Sequence, residues 1–253
     1  MTIDFPTSPQ IPQLRSLWQE AFGDTDQYLD AFFSTAYSPD RCRCITADGQ
    51  VAAALYWFNC FSKGNPIAYI YAVATGKGFR HQGLALKLLE DTGRHLQSLG
   101  YCGAILMPAN ESLFTLYEKA GYQPGTWIED VTCKAGYVPI SIESIDGEDY
   151  DDFRSIYLPA GSVIQDDVAM NFLSTQARFY KGKGFLLCAT VAEGKLIAQE
   201  FLGDLSLAPR ILRALHISEG RFRGPGHGHL YTMYLPLNEA GKKIPSYFGL
   251  PMD

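Results

Sequence analysis

The stretch Ile67 to Tyr122, IAYIYAVATGKGFRHQGLALKLLEDTGRHLQSLGYCGAILMPANESLFTLYEKAGY, decides how the rest of the chain is read. It opens on a run of β-branched and aromatic residues, Ile67 to Thr75, which predicts a buried strand. Gly76 to Gln82 follows as a loop carrying Lys77, Arg80 and His81. From about Gly83 to Leu99 the spacing predicts a helix. Leu84, Ala85, Leu88, Leu89, Leu96 and Leu99 fall on its apolar side, and Lys87, Glu90, Asp91, Arg94 and Gln97 on the other. Tyr101 to Met107 reads as the next strand. Asn110 then caps a short helix that stops at Gly121, a residue suited to a left-handed C-terminal cap.

The junction Arg80-His81-Gln82-Gly83-Leu84-Ala85 carries the chemistry. The first N–H groups of a helix lack internal partners and sit at the positive end of its dipole. A glycine there lets backbone approach a ligand closely, and an arginine adds a charge-assisted contact, so the place suits a pyrophosphate. It is not an adenylate P-loop, because no Gly-Lys-Ser/Thr ends it, and the three-glycine dinucleotide spacing is absent. On spacing alone an ordinary strand-to-helix turn is the commoner explanation.

Arg80-x-x-Gly83-x-Ala85 resembles the Arg/Gln-x-x-Gly-x-Gly/Ala signature of the GNAT superfamily of N-acetyltransferases. Asn110 to Tyr122, with Leu116-Tyr117-Glu118-Lys119-Ala120-Gly121-Tyr122, resembles that family's second segment, in the same order and at a similar distance. The match covers roughly residues 40 to 132. It implies an α/β fold with a mixed sheet: a central twisted, mostly antiparallel sheet with a splayed parallel pair, flanked by helices. It also implies acetyl-CoA as co-substrate and no metal. The backbone of His81, Gln82, Gly83, Leu84 and Ala85 and the side chain of Arg80 would hold the pyrophosphate. Val73, Ala74 and Thr75 would pair with the pantetheine arm as an added strand. Asn110 would contact the cofactor, and Tyr117 would be the general acid that protonates the leaving thiolate. Spacing alone gives blander readings. Leu113, Phe114, Tyr117 and Ala120 share one helical face, as a core tyrosine would, and Asn110 serves equally as a simple N-cap.

The 253 residues are 47% hydrophobic, enough for one large core or two smaller ones. A formal charge of −6 argues against nucleic acid or an anionic membrane as partner. No 18-residue apolar run predicts a membrane span, and the start MTIDFPTSPQ does not read as a secretory signal. The six cysteines form no C-x-x-C pair, and most lie in apolar runs, which reads as free thiols in a reducing cytoplasm. Cys42 and Cys44 share a strand face, but two ligands do not make a zinc site.

Ile11 to Phe22 reads as a helix, a second follows the cap at Asp24 or Thr25, and Asp48-Gly49 marks a hairpin between Arg41–Ala47 and Val51–Cys60. The resemblance places the helical pair beside the acceptor cleft. Trp127 to Lys134 is a further strand and 135 to 142 a linker. Beyond it the opening plan recurs: two helices, the strands Phe185–Val191 and Lys195–Leu202, and AEGKLIAQ echoing ADGQVAAA. A catalytic domain over 1–135 and a degenerate copy over 136–253 are therefore expected. Pro209 to His216 looks helical, but no signature precedes it. Arg221 to His229, basic and glycine-rich, reads as a flexible loop, with an anion site or a histidine metal site as sharper alternatives. The tail is expected to pack on its own domain, with a remote catalytic role for the terminal carboxylate of Asp253.

The expected activity is acetyl transfer from acetyl-CoA to a primary amine of a small molecule or peptide, by direct attack in a ternary complex. The base is unassigned. Glu129 and Asp130 are candidates, Tyr69 and Tyr71 could orient a water, and an N–H near Val73 or Ala74 would hold the oxyanion. The alternatives are a non-catalytic acyl-CoA-binding sensor or assembly module, and a purely structural α/β domain.

Overall fold

Three hairpins fix the sheets. Asp48 and Gly49 (φ 49° and 78°), Lys63 and Gly64 (52° and 76°) and Glu193 and Gly194 (50° and 75°) form two-residue turns with both central residues left-handed. That geometry matches the right-handed twist of the flanking strands, and it places a glycine at the second position of each turn. The computed structural model describes residues 1–252, so the role considered for Asp253 lies outside the described residues.

The elements in chain order are β1 (Thr2–Asp4), α1 (Ile11–Phe22), α2 (Asp26–Thr35), β2 (Cys42–Ala47), β3 (Gln50–Ser62), β4 (Asn65–Thr75), α3 (Leu84–Ser98), β5 (Gly103–Leu106), α4 (Phe114–Lys119) and β6 (Gln123–Pro124). There follow β7 (Trp127–Lys134), β8 (Glu143–Ile145), α5 (Gly147–Tyr157), β9 (Ile164–Gln165), α6 (Asp167–Gln176), β10 (Arg178–Gly182), β11 (Phe185–Ala192) and β12 (Lys195–Gly203). The last are α7 (Ala208–Ala214), β13 (Glu219–Pro225), β14 (His229–Leu230) and β15 (Met233–Pro236). The fold is a mixed α/β one with two mixed sheets.

The chain forms two compact units. The first comprises Met1–Gly125, Ile164–Ala169 and Thr232–Ile244; the second comprises Thr126–Val163, Met170–Tyr231 and Pro245–Asp253. In the first, the sheet runs β1-β2-β3-β4-β5-β15-β6, with β9 on β3. β4 and β5 are parallel, and β15 pairs antiparallel with both β5 and β6. Alternation along β3 sends Leu55 and Trp57 to the α3 side, where they join Leu84, Leu88, Leu89 and Leu96 in one core. Tyr56 and Phe58 go to the other side, among Trp18 of α1 and Phe32 of α2. That second side is rich in aromatic rings, with Leu14 and Leu29 buried on the same helices. Ring packing therefore contributes more on the α1 and α2 side, aliphatic packing more on the α3 side.

In the second unit the sheet runs β14-β7-β13-β12-β11-β10-β8. β12 and β13 are parallel, the other pairs antiparallel. Phe185, Leu187, Phe201, Ile211, Leu212 and Phe222 form its core. The segment expected as a flexible loop, Arg221 to His229, is in large part strand. β13 covers Glu219–Pro225 and registers along β7 from Glu219↔Lys134 to Pro225↔Ile128. Alternation explains this: Gly220 and Phe222 turn inward, and the charged Arg221 and Arg223 take the other face. The tail expected to pack on its own domain is divided: Asn238 to Ile244 belong to the first unit, and Tyr247, Phe248, Leu250 and Met252 are buried in the second. All six cysteines are free. No helix of the described residues is long and apolar enough to cross a membrane.

Candidate active site

β4 and β5 run side by side only briefly. Ile67, Ala68 and Tyr69 register with Gly103, Ala104 and Ile105; β5 ends at Leu106, while β4 continues to Thr75. On its other edge β4 stays paired with β3 as far as Thr75↔Ala53. From Ile70 onward the β5 side of β4 has no strand registered against it. An extended chain can add there by main-chain hydrogen bonds.

A bulge sits in the same segment. Tyr56 faces Tyr71 and Ala54 faces Ala74, so Ala72 and Val73 together oppose Leu55. Ala72 takes φ 48°, a left-handed value that a β-carbon disfavours. A bulge with two residues against one bends the strand and re-aims its groups. The sequence gives little sign of it, since an Ala-Val-Ala run is compatible with a regular strand. Of the residues expected to line the pantetheine arm, Val73 is half-buried, Ala74 buried and Thr75 half-buried. The Thr75 hydroxyl is buried without a hydrogen-bond partner among the described residues.

The strand then gives way to the loop. Arg80 Nε donates to the Thr75 carbonyl at 3.2 Å, which ties the loop back to the strand end. Arg80, His81, Gln82 and Gly83 are exposed. His81 (φ 62°) and Gly83 (φ 72°) are both left-handed, and Gly83 is the N-cap of α3. No side chain caps this helix, and its first turn carries no acidic residue. Its first internal bond is Lys87 N to Gly83 O at 3.1 Å, which leaves the amides of Leu84, Ala85 and Leu86 without helical partners. A β-carbon on Gly83 would meet no atom within 4 Å, so the glycine serves conformation and open approach, not packing. The Leu84 side chain belongs to the core and Ala85 is half-buried; what either offers a ligand is its amide. Uncapped amides at the positive end of a 15-residue helix, an exposed guanidinium and an unpartnered threonine hydroxyl together fit an anionic group such as a pyrophosphate.

Beyond β5, Asn110 Oδ1 accepts from Ser112 N at 3.1 Å and from Ser112 Oγ at 2.5 Å. Asn110 is thus an N-cap and is exposed. Tyr117, on α4, is 6% exposed and shares the core cluster with Leu84, Leu88 and Tyr122. Burial pushes its phenol up to about 12. The hydroxyl makes no hydrogen bond to another described residue, so it is a protonated, unspent donor at neutral pH.

The carboxylates considered as bases lie in the second unit. Asp130 is chelated by Arg221, whose Nε and Nη2 donate at 3.0 and 2.6 Å, and His229 Nε2 is 3.4 Å away. That arrangement engages Asp130 in a bidentate ion pair within its own sheet. Among the described residues no group of three or more His, Cys, Asp or Glu could hold a metal ion.

Residues 2–125 match the family model described as an acetyltransferase (GNAT) domain. Among solved structures, the fold is similar to a GCN5-related N-acetyltransferase from Kribbella flavida, with TM-score 0.72 and 15% identity over 93% of this chain and 72% of that one. A GCN5-related N-acetyltransferase from Anabaena variabilis gives 0.70 at 16% identity over 94% and 73%. A putative acetyltransferase from Pyrococcus horikoshii gives 0.60 at 16% identity over 98% and 93%. No curated protein matches the sequence.

Proposed function

We propose that this chain, whose residues 2–125 match the acetyltransferase (GNAT) domain model, transfers the acetyl group of acetyl-CoA to a primary amine by direct attack within a ternary complex. The observation that supports this most is the continuity of three features. The splayed edge of β4, the bulge at Ala72 and the uncapped start of α3 follow one another along the chain. The edge of Val73, Ala74 and Thr75 takes the pantetheine arm. Arg80 and the amides of His81 to Ala85 take the pyrophosphate. Asn110 keeps the turn before α4 in place.

The chemistry follows from these positions. An N–H at the bulge, near Val73 or Ala74, is aimed at the thioester oxygen as negative charge develops on it. The nitrogen–carbon bond forms, the carbon–sulfur bond breaks, and the sulfur leaves as a thiolate. A thiol titrates near about 8.5 and an ordinary phenol near about 10. Tyr117, higher still, is protonated when the thiolate appears; phenolate is the stronger base, so the transfer to sulfur is uphill and is drawn forward by reprotonation of the phenolate from solvent. Its proton goes to sulfur and is replaced from solvent. The acceptor is a small-molecule or peptide amine.

A thiol-release assay tests the proposal. Acetyl-CoA is offered with polyamines, aminoglycosides, amino acids, aryl amines and lysine peptides, to wild type and to Tyr117→Phe. Amine-dependent release of CoA that falls about 100-fold in the variant is the expected result. If acetyl-CoA raises the melting temperature yet no amine turns over, a non-catalytic acyl-CoA-binding module is the better reading. If acetyl-CoA neither reacts nor stabilises, the assignment of Arg80 to Ala85 is wrong.

A further inference from the structure

An alkylammonium must lose a proton before its nitrogen attacks, and none of the groups assigned above receives it. One side chain stands where a recipient is needed. Tyr71 lies two residues past Tyr69, the last β4 residue registered with β5, and directly precedes the left-handed Ala72. It leaves the sheet where the two strands part, beside the bulge that serves the thioester.

Its hydroxyl is hydrogen-bonded to the hydroxyl of Tyr28, on α2, and either can be the donor. Tyr71 is 9% exposed, and Tyr28 is half-buried at the surface end of the pair. The Tyr71 ring is fixed by Trp18 and Phe58, each 5.5 Å away, by Tyr69 at 5.8 Å and by Phe32 at 6.0 Å. Such a ring cannot swing, so its hydroxyl is held in place. Among the described residues, the titratable groups beside it include Tyr28 from α2, Tyr56 from β3 and Tyr69 from β4. α1 presents Trp18, whose indole donates to Asp24 Oδ2 at 2.7 Å.

We propose that Tyr71 is the catalytic residue on the acceptor side, with Tyr28 as its positioning partner, in the transfer reaction put forward above, on which this assignment rests. The Tyr71 oxygen takes the ammonium proton as its own hydroxyl proton passes to Tyr28, which releases one to water. Neither phenol ends ionised. The freed nitrogen lone pair attacks the thioester carbon, sulfur leaves with the proton of Tyr117, and the second amine proton departs to solvent. Interchangeable donor and acceptor roles in a hydroxyl pair are what such a relay needs.

Tyr71→Phe, Tyr28→Phe and the double variant test this, with the best acceptor from phenethylamine, spermidine, kanamycin and an acetyl-free lysine peptide as probe. Tyr71→Phe should lower kcat about 100-fold and Tyr28→Phe about tenfold. The KM for acetyl-CoA and the melting shift it causes should stay as in wild type. The double variant should be no worse than Tyr71→Phe, because one path is cut once. Tyr28→Phe alters a half-buried hydroxyl and keeps the test valid if Tyr71→Phe does not fold. Single-variant kcat values within twofold of wild type, or losses that multiply in the double variant, would overturn the relay. A loss of the acetyl-CoA melting shift in Tyr71→Phe would assign that residue to the cofactor side instead. If no amine turns over in wild type, the transfer reading fails and the relay with it.

Discussion

The two units repeat one sheet order and differ at two matched places. In each, a parallel pair follows three antiparallel steps: β4 with β5 in the first, β12 with β13 in the second. In each, the long central hairpin carries a register shift. The strand-to-helix junctions then diverge. The first has an eight-residue passage from Gly76 to Gly83 before a long helix with bare amides. The second goes from Gly203 through Asp204, whose carboxylate accepts from Ser206 N at 2.9 Å, into the seven-residue α7 with a proline in its first turn. Asp204 caps the short turn Leu205–Leu207 that leads into α7, and the proline in the first turn of α7 has removed one of that helix's amides. The sheet can be copied without the anion site, because the site is a property of the junction and not of the strands.

The second difference is inside. Where the first unit packs Trp18 of its first helix against Tyr71, the second sets Arg154 of α5 against Glu200 of β12. Arg154 Nε and Nη2 donate to Glu200 at 2.6 and 2.9 Å, and the Tyr150 hydroxyl adds a bond at 2.9 Å. Both charges are about 1% exposed or less. One unit keeps ring hydroxyls on this face; the other locks it with a buried ion pair.

The largest effect should come from breaking that lock. Glu200→Ala leaves Arg154 charged and buried, and should cost roughly 3–5 kcal/mol in a urea titration. Replacing both partners, as Arg154→Met with Glu200→Leu, should recover most of it. If Glu200→Ala costs as little as a surface change, the ion pair is not what fixes this face. The acid comes next: Tyr117→Phe should lose about 100-fold in kcat, or roughly 2.7 kcal/mol of barrier, with little change in the KM for acetyl-CoA. The same phenol bears on alkaline stability. It stands at about 12 when folded against 10.0 when free. Its contribution is therefore intact below pH 10 and lost as pH rises toward 12. The alkaline fall in melting temperature over that window should be shallower in Tyr117→Phe.

Arg80→Ala should raise the KM for acetyl-CoA about tenfold, the worth of a charge-assisted contact of roughly 1.5 kcal/mol. Arg210→Ala, in α7 of the second unit, should not move it. An equal response from both arginines would erase the distinction between the junctions. The smallest effect is conformational. Gly83→Ala meets no neighbour, so it should cost only the left-handed penalty of about 1 kcal/mol, read as a small drop in melting temperature.

The sequence alone determined the elements that local chemistry specifies. The α1 spacing of Leu14, Leu17 and Trp18, the three x-Gly turns, the cap at Asn110 and the amphipathic face of α3 are each legible within a dozen residues. The paired segments around Gly83 and Tyr117 were legible as a resemblance for the same reason: a junction's needs are written in the junction. Tertiary structure alone decided three things. It placed β15 beside β5, although β15 follows β14 in the chain, because an edge strand is completed by whichever extended segment can reach it. It put the bulge at Ala72, where β3 and β4 fall out of step across a pairing that a single strand does not record. It brought Tyr28 to Tyr71, a meeting set by how α2 docks on the aromatic face of the sheet. Local sequence fixes backbone preferences over a few residues; which distant groups meet is settled by packing, and that is a sum over the whole core.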